Sequence, residues 1–508
     1  MVFSSPDLAT LHADLSLKNQ QIALMKETLK ERDIRILQLE HQLAGMKRSR
    51  FGATSEASNQ YPLLFEHNTQ EDHATDNASP KEKVSTHAKK ETPKRKALPP
   101  HLTRIDEPIE LASPNCTVCG GDLHIIEHKV TEELDYIPAR FVVRRIIRPR
   151  AVCRDCETMV QPPLPSRPIE RGRPTASLLS HIIISKYADH LPLYRQSTMM
   201  KREEIHINRS TLEGWVSQSA ALLAPLADAV KQHVLSGNAI FADDTVVNVM
   251  APGKGKTATG RLWSYSRDER PFSGEAAPAV WYQFSPDRKG IHPKKHLEDY
   301  KGFMHADGYG GFNDLYRSGD IQEVACLAHC RRKFTDVLSS MPTSSLAAEA
   351  VKRMSELYAI EKEAKGLPPD KRVEIRQSQA RPLFEDLQQW LGEQLPKLSR
   401  KTPLAVAIRY TIKRMEQLAH YLNHGQLEID NNTAERSMRA IAVGRKNWLF
   451  AGSNKGGENA AILYSLIETA KLNNVNPQEW LTHVLGAISE HPNKHINQLM
   501  PWNYQQNS

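Results

Sequence analysis

At 508 residues the chain is long enough for about three domains, which excludes a single small module. Hydrophobic residues make up 40% and charged residues 25%, the balance of a soluble globular chain rather than a disordered or membrane-embedded one. Lys and Arg number 67 against 59 Asp and Glu, and the net charge of +8 admits a polyanionic partner without requiring one.

In chain order, the first signal is a heptad. Leu8, Leu15, Ile22, Leu29, Ile36 and Leu43 recur every seven residues, with Leu11, Lys18, Met25, Arg32, Leu39 and Met46 three positions on. A sustained seven-residue apolar period predicts a coiled-coil helix over 8–50, and with it a homo-oligomer, at least a dimer. An amphipathic helix packed on its own chain is the competing reading. Acidic Asp7 and Asp14 stand where a secretory leader would be basic and then apolar, so none is expected. Residues 57–105 lose all periodicity and read as a disordered basic linker. Within it, 81–104 holds eight Lys and Arg against Glu82 and Glu91.

Next come two Cys-x-x-Cys pairs, Cys116/Cys119 and Cys153/Cys156, inside the alternating apolar and polar pattern of 106–165. Paired knuckles place four thiolates tetrahedrally around one structural Zn²⁺, with no coordination position left for catalysis. Free thiolate ligands also imply a reducing, cytoplasmic compartment. The outer strand carries Arg144, Arg145 and Arg148, candidate DNA contacts that compete with a plain solvated face.

Residues 170–235 read as a helical DNA-binding region. In it, Ile207 to Val216 resembles the second half of a helix-turn-helix, with Ser210 as N-cap, Glu213 three residues on as a capping box, and Arg209 beside it. The most apolar run, Leu178–Ile184, is broken by Ser180 and His181 and falls short of the ~18 residues of a membrane span. No membrane association is expected.

Strand-like runs return from 236. Asp243 follows the apolar Ala239–Ala242, and Asp307 follows Phe303–Ala306. Glu435 falls in the first turns of a helix after Glu428-Ile429-Asp430-Asn431-Asn432. Any one of these acids alone would be a solvated turn residue. Together they suit an RNase-H-like α/β domain over 236–470, in which two strands and a later helix bring three carboxylates to two Mg²⁺ or Mn²⁺ ions. Residues 340–424 would be a helical insertion, and 471–508 a C-terminal helical tail. Basic residues cluster nearby in sequence: Arg331 and Arg332, then Arg436, Arg445 and Lys446, all candidates for holding DNA. Cys326, His329 and Cys330 do not read as a metal site, because a fourth ligand is missing and hard Mg²⁺ avoids thiolates.

The ordered blocks resemble the transposases of the insertion-sequence-66 family, within the DDE superfamily. They include both Cys knuckles, Leu134 to Phe141, Ser185 to Gln196, Ala242 to Thr245, His305 to Tyr309, Ala328 to Phe334, and Asp430 to Arg436 with Gly444 to Gly452. The resemblance implies a DDE triad of Asp243, Asp307 and Glu435. It also implies binding of double-stranded DNA at the element's terminal inverted repeats and at a target, with 3′-end cleavage and strand transfer. A bacterial, nucleoid-associated protein is implied, as are accessory element-encoded proteins. One departure stands out: the family usually has Asp-Glu-Thr at the first acid, where this chain has Asp243-Asp244-Thr245, so Asp244 replaces a Glu. The alternative is a non-catalytic zinc-dependent DNA-binding protein derived from a transposase.

Overall fold

The computed structural model describes residues 165–504 apart from 171, 173, 252–255 and 449. It also describes helical positions 18, 22, 25, 26 and 29, the stretch 141–147 and two short strands. The four Cys ligands, Arg148 and most heptad positions lie outside the described residues. The chain divides into two units, 67–164 and the remainder. In the first, β1 (Ala151–Val152) and β2 (Met159–Val160) form an antiparallel pair on either side of the second Cys knuckle. Residues 141–147, with Arg144 and Arg145, are exposed and carry no regular secondary structure, so the outer strand expected there is not found.

The other unit is a mixed α/β domain. Three helices lead in: α1 (Ala176–Tyr187), α2 (Leu193–Arg202) and α3 (Arg209–Leu235). Thr175 caps α1 by accepting the Leu178 N–H at 3.3 Å. At α3 the expectation fails. The N-cap is Asn208, without a side-chain cap bond, and Ser210 lies inside the helix. Arg209 instead pairs with Glu213 at 3.3 Å, an i,i+4 contact on an exposed face. The capping box loses because the helix starts two residues earlier than Ser210 would require.

The sheet follows: β3 (Ala239–Met250), β4 (Thr257–Arg267), β5 (Ala279–Ser285), β6 (Gly302–Ala306) and β7 (Ile321–Ala325), in the order β5-β4-β3-β6-β7. β3, β4 and β5 are an antiparallel meander, while β6 and β7 run parallel to β3. Short helices α4 (Ile291–His296) and α5 (Asn313–Tyr316) fill the crossovers. β5 is an edge strand, and its backbone is satisfied from a helix rather than another strand. Ser465 and Thr469 accept the N–H groups of Tyr282 and Val280 at 2.8 and 3.2 Å.

After β7 come α6 (Leu327–Ser340), α7 (Ser345–Ala364), α8 (Pro369–Ile375), α9 (Arg381–Gln394), α10 (Pro403–Ile412) and α11 (Met415–Asn423). A π-turn at Arg376–Ala380 joins α8 to α9. The chain then returns through α12 (Asn432–Asn447), α13 (Asn454–Leu472) and α14 (Pro477–Ala487). One hydrophobic core joins α1 to α3, the sheet, α12, α13 and α14, and a second joins the end of β7, the helices α6 to α11 and the segment before α12. Residues 170–235 and the C-terminal tail are therefore built into the sheet's own core. Ser180 donates to Gln478 O at 2.8 Å, and buried Trp480 donates to Leu499 O at 2.9 Å. No helix among the described residues is long and apolar enough to cross a membrane.

Candidate active site

β3 and β6 are hydrogen-bonded only over Ala239–Phe241 and Phe303–His305. Beyond that they part, and each enters the gap with an acid, Asp243 on β3 and Asp307 just past β6. The carboxyl ends of parallel strands are where such crevices form. Asp307 Oδ1 accepts the Tyr309 N–H at 2.9 Å, which fixes the turn. Gly308 makes that turn possible: its φ is +79°, and a Cβ there would lie 2.6 Å from the Arg414 guanidinium.

The third acid arrives with α12. Buried Asn431, its N-cap, donates from Nδ2 to Ala242 O at 2.9 Å, one residue before Asp243. Its own N–H is held by Cys326 Sγ at 3.2 Å, and Leu327 N–H is accepted by Ile429 O at 3.1 Å. Glu435, in the first turn of α12, is thereby tied to β3 and to α6. His305 adds a second tie. Its ring stacks on Phe241 with centroids 4.2 Å apart. Nε2 accepts the Glu428 N–H at 3.0 Å, and Nδ1 lies 3.3 Å from Ile240 O. Burial pushes this histidine down to about 4, so the neutral ring donates from Nδ1.

The electrostatics record the convergence. Asp243 is pushed up to about 7, first by burial and then by the negative charges of Asp307, Asp244 and Glu435, against one bond from the Asp244 N–H. Asp244 behaves differently. Its side chain is 2% exposed and gripped by two cations: Arg288 approaches Oδ1 at 2.7 Å and Arg261 approaches Oδ2 at 3.0 Å. Successive strand residues point to opposite faces, so one of these neighbours joins the acid cluster and the other an ion-pair clamp. Glu435 contacts Arg332 at 3.4 Å and His329 at 3.7 Å.

All three acids supply hard oxygen donors, the type that suits Mg²⁺ or Mn²⁺. A cation would also relieve the repulsion that raises Asp243. Among the described residues, however, no three His, Cys, Asp or Glu side chains are gathered closely enough to enclose an ion. Asp243 feels the charges of Asp307 and Glu435 without the three forming a closed cage.

Asp430 is also pushed up to about 7 by burial, but its oxygens are engaged by Asn432 N at 3.0 Å and Asn432 Nδ2 at 2.7 Å. It closes the turn before α12. Cys326 and Cys330 are both buried, with burial pushing their thiols up. Among the basic residues, Arg331 is half-buried while Arg332, Arg436 and Lys446 are exposed. Arg436 donates to Thr433 Oγ1 at 3.0 Å, and Arg445 donates to Val246 O at 2.9 Å, linking α12 to β3.

Several residues near the acids carried no sequence signal. Tyr410 donates to Asp307 O at 3.1 Å, and Arg414 stacks 3.8 Å from the Tyr410 ring centroid. Both come from α10 and the turn after it, about a hundred residues from Asp307, so no local spacing could reveal them. Arg288 lies 4.0 Å from the Tyr309 ring centroid while it grips Asp244.

Comparison with known proteins agrees with this architecture. The model described as "Transposase IS66 family" matches residues 171–459, and "IS66 C-terminal element" matches 465–502. "Zinc-finger binding domain of transposase IS66" matches 113–157, which includes all four knuckle cysteines. "Transposase C of IS166 homeodomain" matches 38–106, so a family domain runs through the stretch whose composition reads as linker. Three similar proteins of Sinorhizobium fredii are called uncharacterized. Protein y4hP is 36% identical over 94% of this chain and 89% of its own length, and y4jD is 39% identical over 80% and 81%. Protein y4qI is 35% identical over 98% and 94%.

Proposed function

The chain belongs to the IS66 family of transposases, with zinc-finger and DNA-binding modules, and from that premise we propose that it cleaves and joins DNA with Asp243, Asp307 and Glu435. The observation that carries this reading is that Asp243 is pushed up to about 7, first by burial and then by the charges of acidic neighbours that include Asp307 and Glu435, delivered by separate elements. The strand order, with acids at β3 and just past β6 and a third on a returning helix, supports an RNase-H-like catalytic domain interrupted by a helical insertion at about 340–424, here α7 to α11.

The three carboxylates would hold two Mg²⁺ or Mn²⁺ ions, which when bound polarise the attacking oxygen and offset charge on the leaving one. The remaining work belongs to the chain. Arg331, Arg332, Arg436 and Lys446 hold backbone phosphates near the acids. Arg144, Arg145, Arg148, Arg209 and Ser210 contact the terminal repeats, and Cys116, Cys119, Cys153 and Cys156 hold the zinc that shapes that module. Hydrolysis at each element end frees a 3′-hydroxyl. That hydroxyl then attacks a target phosphate in line, forming a new phosphodiester and displacing the 3′-oxygen of the adjoining target nucleotide, which leaves as a 3′-hydroxyl. Self-association through the heptad helix brings the two ends together. Ile22, Met25 and Leu29 support this, being helical and exposed at 49%, 63% and 56%.

An oligonucleotide strand-transfer assay tests the reading. Asp243→Asn, Asp307→Asn and Glu435→Gln should each abolish joining while binding to the element ends persists. Metal-dependent joining retained by all three variants would sink the triad.

A further inference from the structure

Among the described residues, Glu435 is the one acid of the three in an ion pair, and its partner is a half-exposed arginine. Arg332 on α6 reaches both of its oxygens from Nη2, at 3.4 and 3.5 Å. Strong charge-assisted contacts of this kind lie at ~2.7–2.9 Å, so the grip is loose. Arg332 is 51% exposed and Glu435 27%. The arginine also leans on His329 Nε2, 3.4 Å away on the same helix face. Lys333 beside it is exposed, so this end of α6 presents positive charge to solvent as well as to Glu435.

This is an exchangeable contact. A guanidinium takes a phosphate through two parallel N–H···O bonds, a better geometry than it has here with Glu435. Asp244 offers the contrast, being buried and gripped by Arg261 and Arg288 at 3.0 and 2.7 Å. A visiting phosphate cannot easily dissolve that clamp.

We propose that Arg332 is a positioning residue that couples DNA binding to metal loading. In the free protein it holds Glu435 and keeps a positive charge beside the acids. When DNA arrives, a backbone phosphate takes the guanidinium, and Glu435 is released to complete the carboxylate set with Asp243 and Asp307. The device rests on the triad proposed above. Its consequence is that metal and donor DNA bind cooperatively, so cleavage is withheld until an end is seated.

The test is Mn²⁺ binding to the zinc-loaded full-length protein, read by electron paramagnetic resonance of free Mn²⁺, with and without short duplex DNA. For the unmodified protein, DNA should tighten Mn²⁺ at least about fivefold, and by reciprocity Mn²⁺ should tighten DNA by the same factor. Arg332→Gln should bind Mn²⁺ more tightly than the unmodified protein without DNA. Its DNA-induced gain should shrink to about twofold or less. Arg332→Lys, which keeps the charge but not the two-pronged geometry, should lie between. If Arg332→Gln shows the full DNA-induced gain, or no rise in DNA-free affinity, the coupling role is overturned. Asp243→Asn separates the two readings. If Mn²⁺ affinity on DNA ignores that change, the triad itself is wrong and the coupling role falls with it.

Discussion

At the scale of single residues, Asp243 and Asp244 divide two jobs that their adjacency conceals. Asp243 carries the raised carboxyl and Asp244 the ion-pair clamp. Asp244→Asn should therefore cost about 2 kcal/mol of stability by leaving Arg261 and Arg288 without their shared partner, less than a fully buried pair because both arginines reach solvent. Mn²⁺ binding should survive it. Asp243→Asn should do the reverse, which chemical denaturation and Mn²⁺ titration on the same two variants will read. The pH dependence follows from the direction of the shift. The folded protein keeps the Asp243 proton between the ordinary 3.8 and about 7, where the unfolded chain has lost it. In that window the folded state binds more protons, so stability falls as pH rises and levels off above about 7. Relative to the unmodified protein, metal-free Asp243→Asn should gain stability across the same window, on the order of 1–4 kcal/mol. A difference that stays flat with pH would remove the raised carboxyl from the account. The clamp also gives the Asp244 departure a physical meaning, because the shorter acid still reaches both arginines.

At the scale of elements, the insertion contributes to the site through the loop that leads back to α12. Arg376, at the π-turn between α8 and α9, is 0% exposed and pairs with buried Glu361 at 2.8 and 2.6 Å. It also donates to Tyr421 O and Leu427 O at 2.9 and 3.0 Å. Arg372 donates to Gly425 O at 2.7 Å and pairs with Glu428 at 2.6 Å. Two buried guanidinium groups thus satisfy the carbonyls at the end of α11 and order the segment that carries Asn431 and Glu435. Arg376 opens the π-turn, a kind of bulge that recurs near working sites. Arg376→Met should cost about 3–5 kcal/mol, because buried Glu361 loses both short bonds and keeps only Arg372, at 3.6 Å. Adding Glu361→Leu should recover part of that loss. Both variants should transfer strands more slowly than their remaining folded fraction explains, since the loop before Glu435 has lost its anchor. Denaturation curves beside the strand-transfer assay will measure the difference.

At the scale of the whole molecule, the zinc module and the sheet domain fall in separate units, and the hydrophobic cores described here lie in the sheet-containing unit. Zinc removal should therefore act locally. Stripping the protein with a chelator and then restoring Mg²⁺ should abolish recognition of the element ends. The main cooperative unfolding transition should keep its midpoint, because four-thiolate modules take their folding energy from the metal while the sheet domain has its own core. A downward shift of that transition in calorimetry would show that the sheet domain leans on the zinc module.

The sequence alone determined the features that depend on local spacing. Two Cys-x-x-Cys pairs, a heptad, acids after apolar strands and a basic run at Arg331 and Arg332 are legible because each is set by neighbours in the chain. Element type around Asp243, Asp307 and Glu435 was legible for the same reason, since apolar runs bounded by turns must be strands or buried helices. What only the tertiary structure decided involves partners distant in sequence. Arg261 and Arg288 on Asp244, Tyr410 and Arg414 at the Asp307 turn, Asn431 on Ala242, and the shared core of 170–235 with the C-terminal helices all depend on chain reversals that carry no local mark. The Ser210 cap failed for a different reason: a capping box is a weak local preference, and the helix already begins at Arg209. Spacing reads the chemistry that residues can offer. Which of two adjacent carboxylates is free to offer it depends on what the folded chain places against each side of the strand.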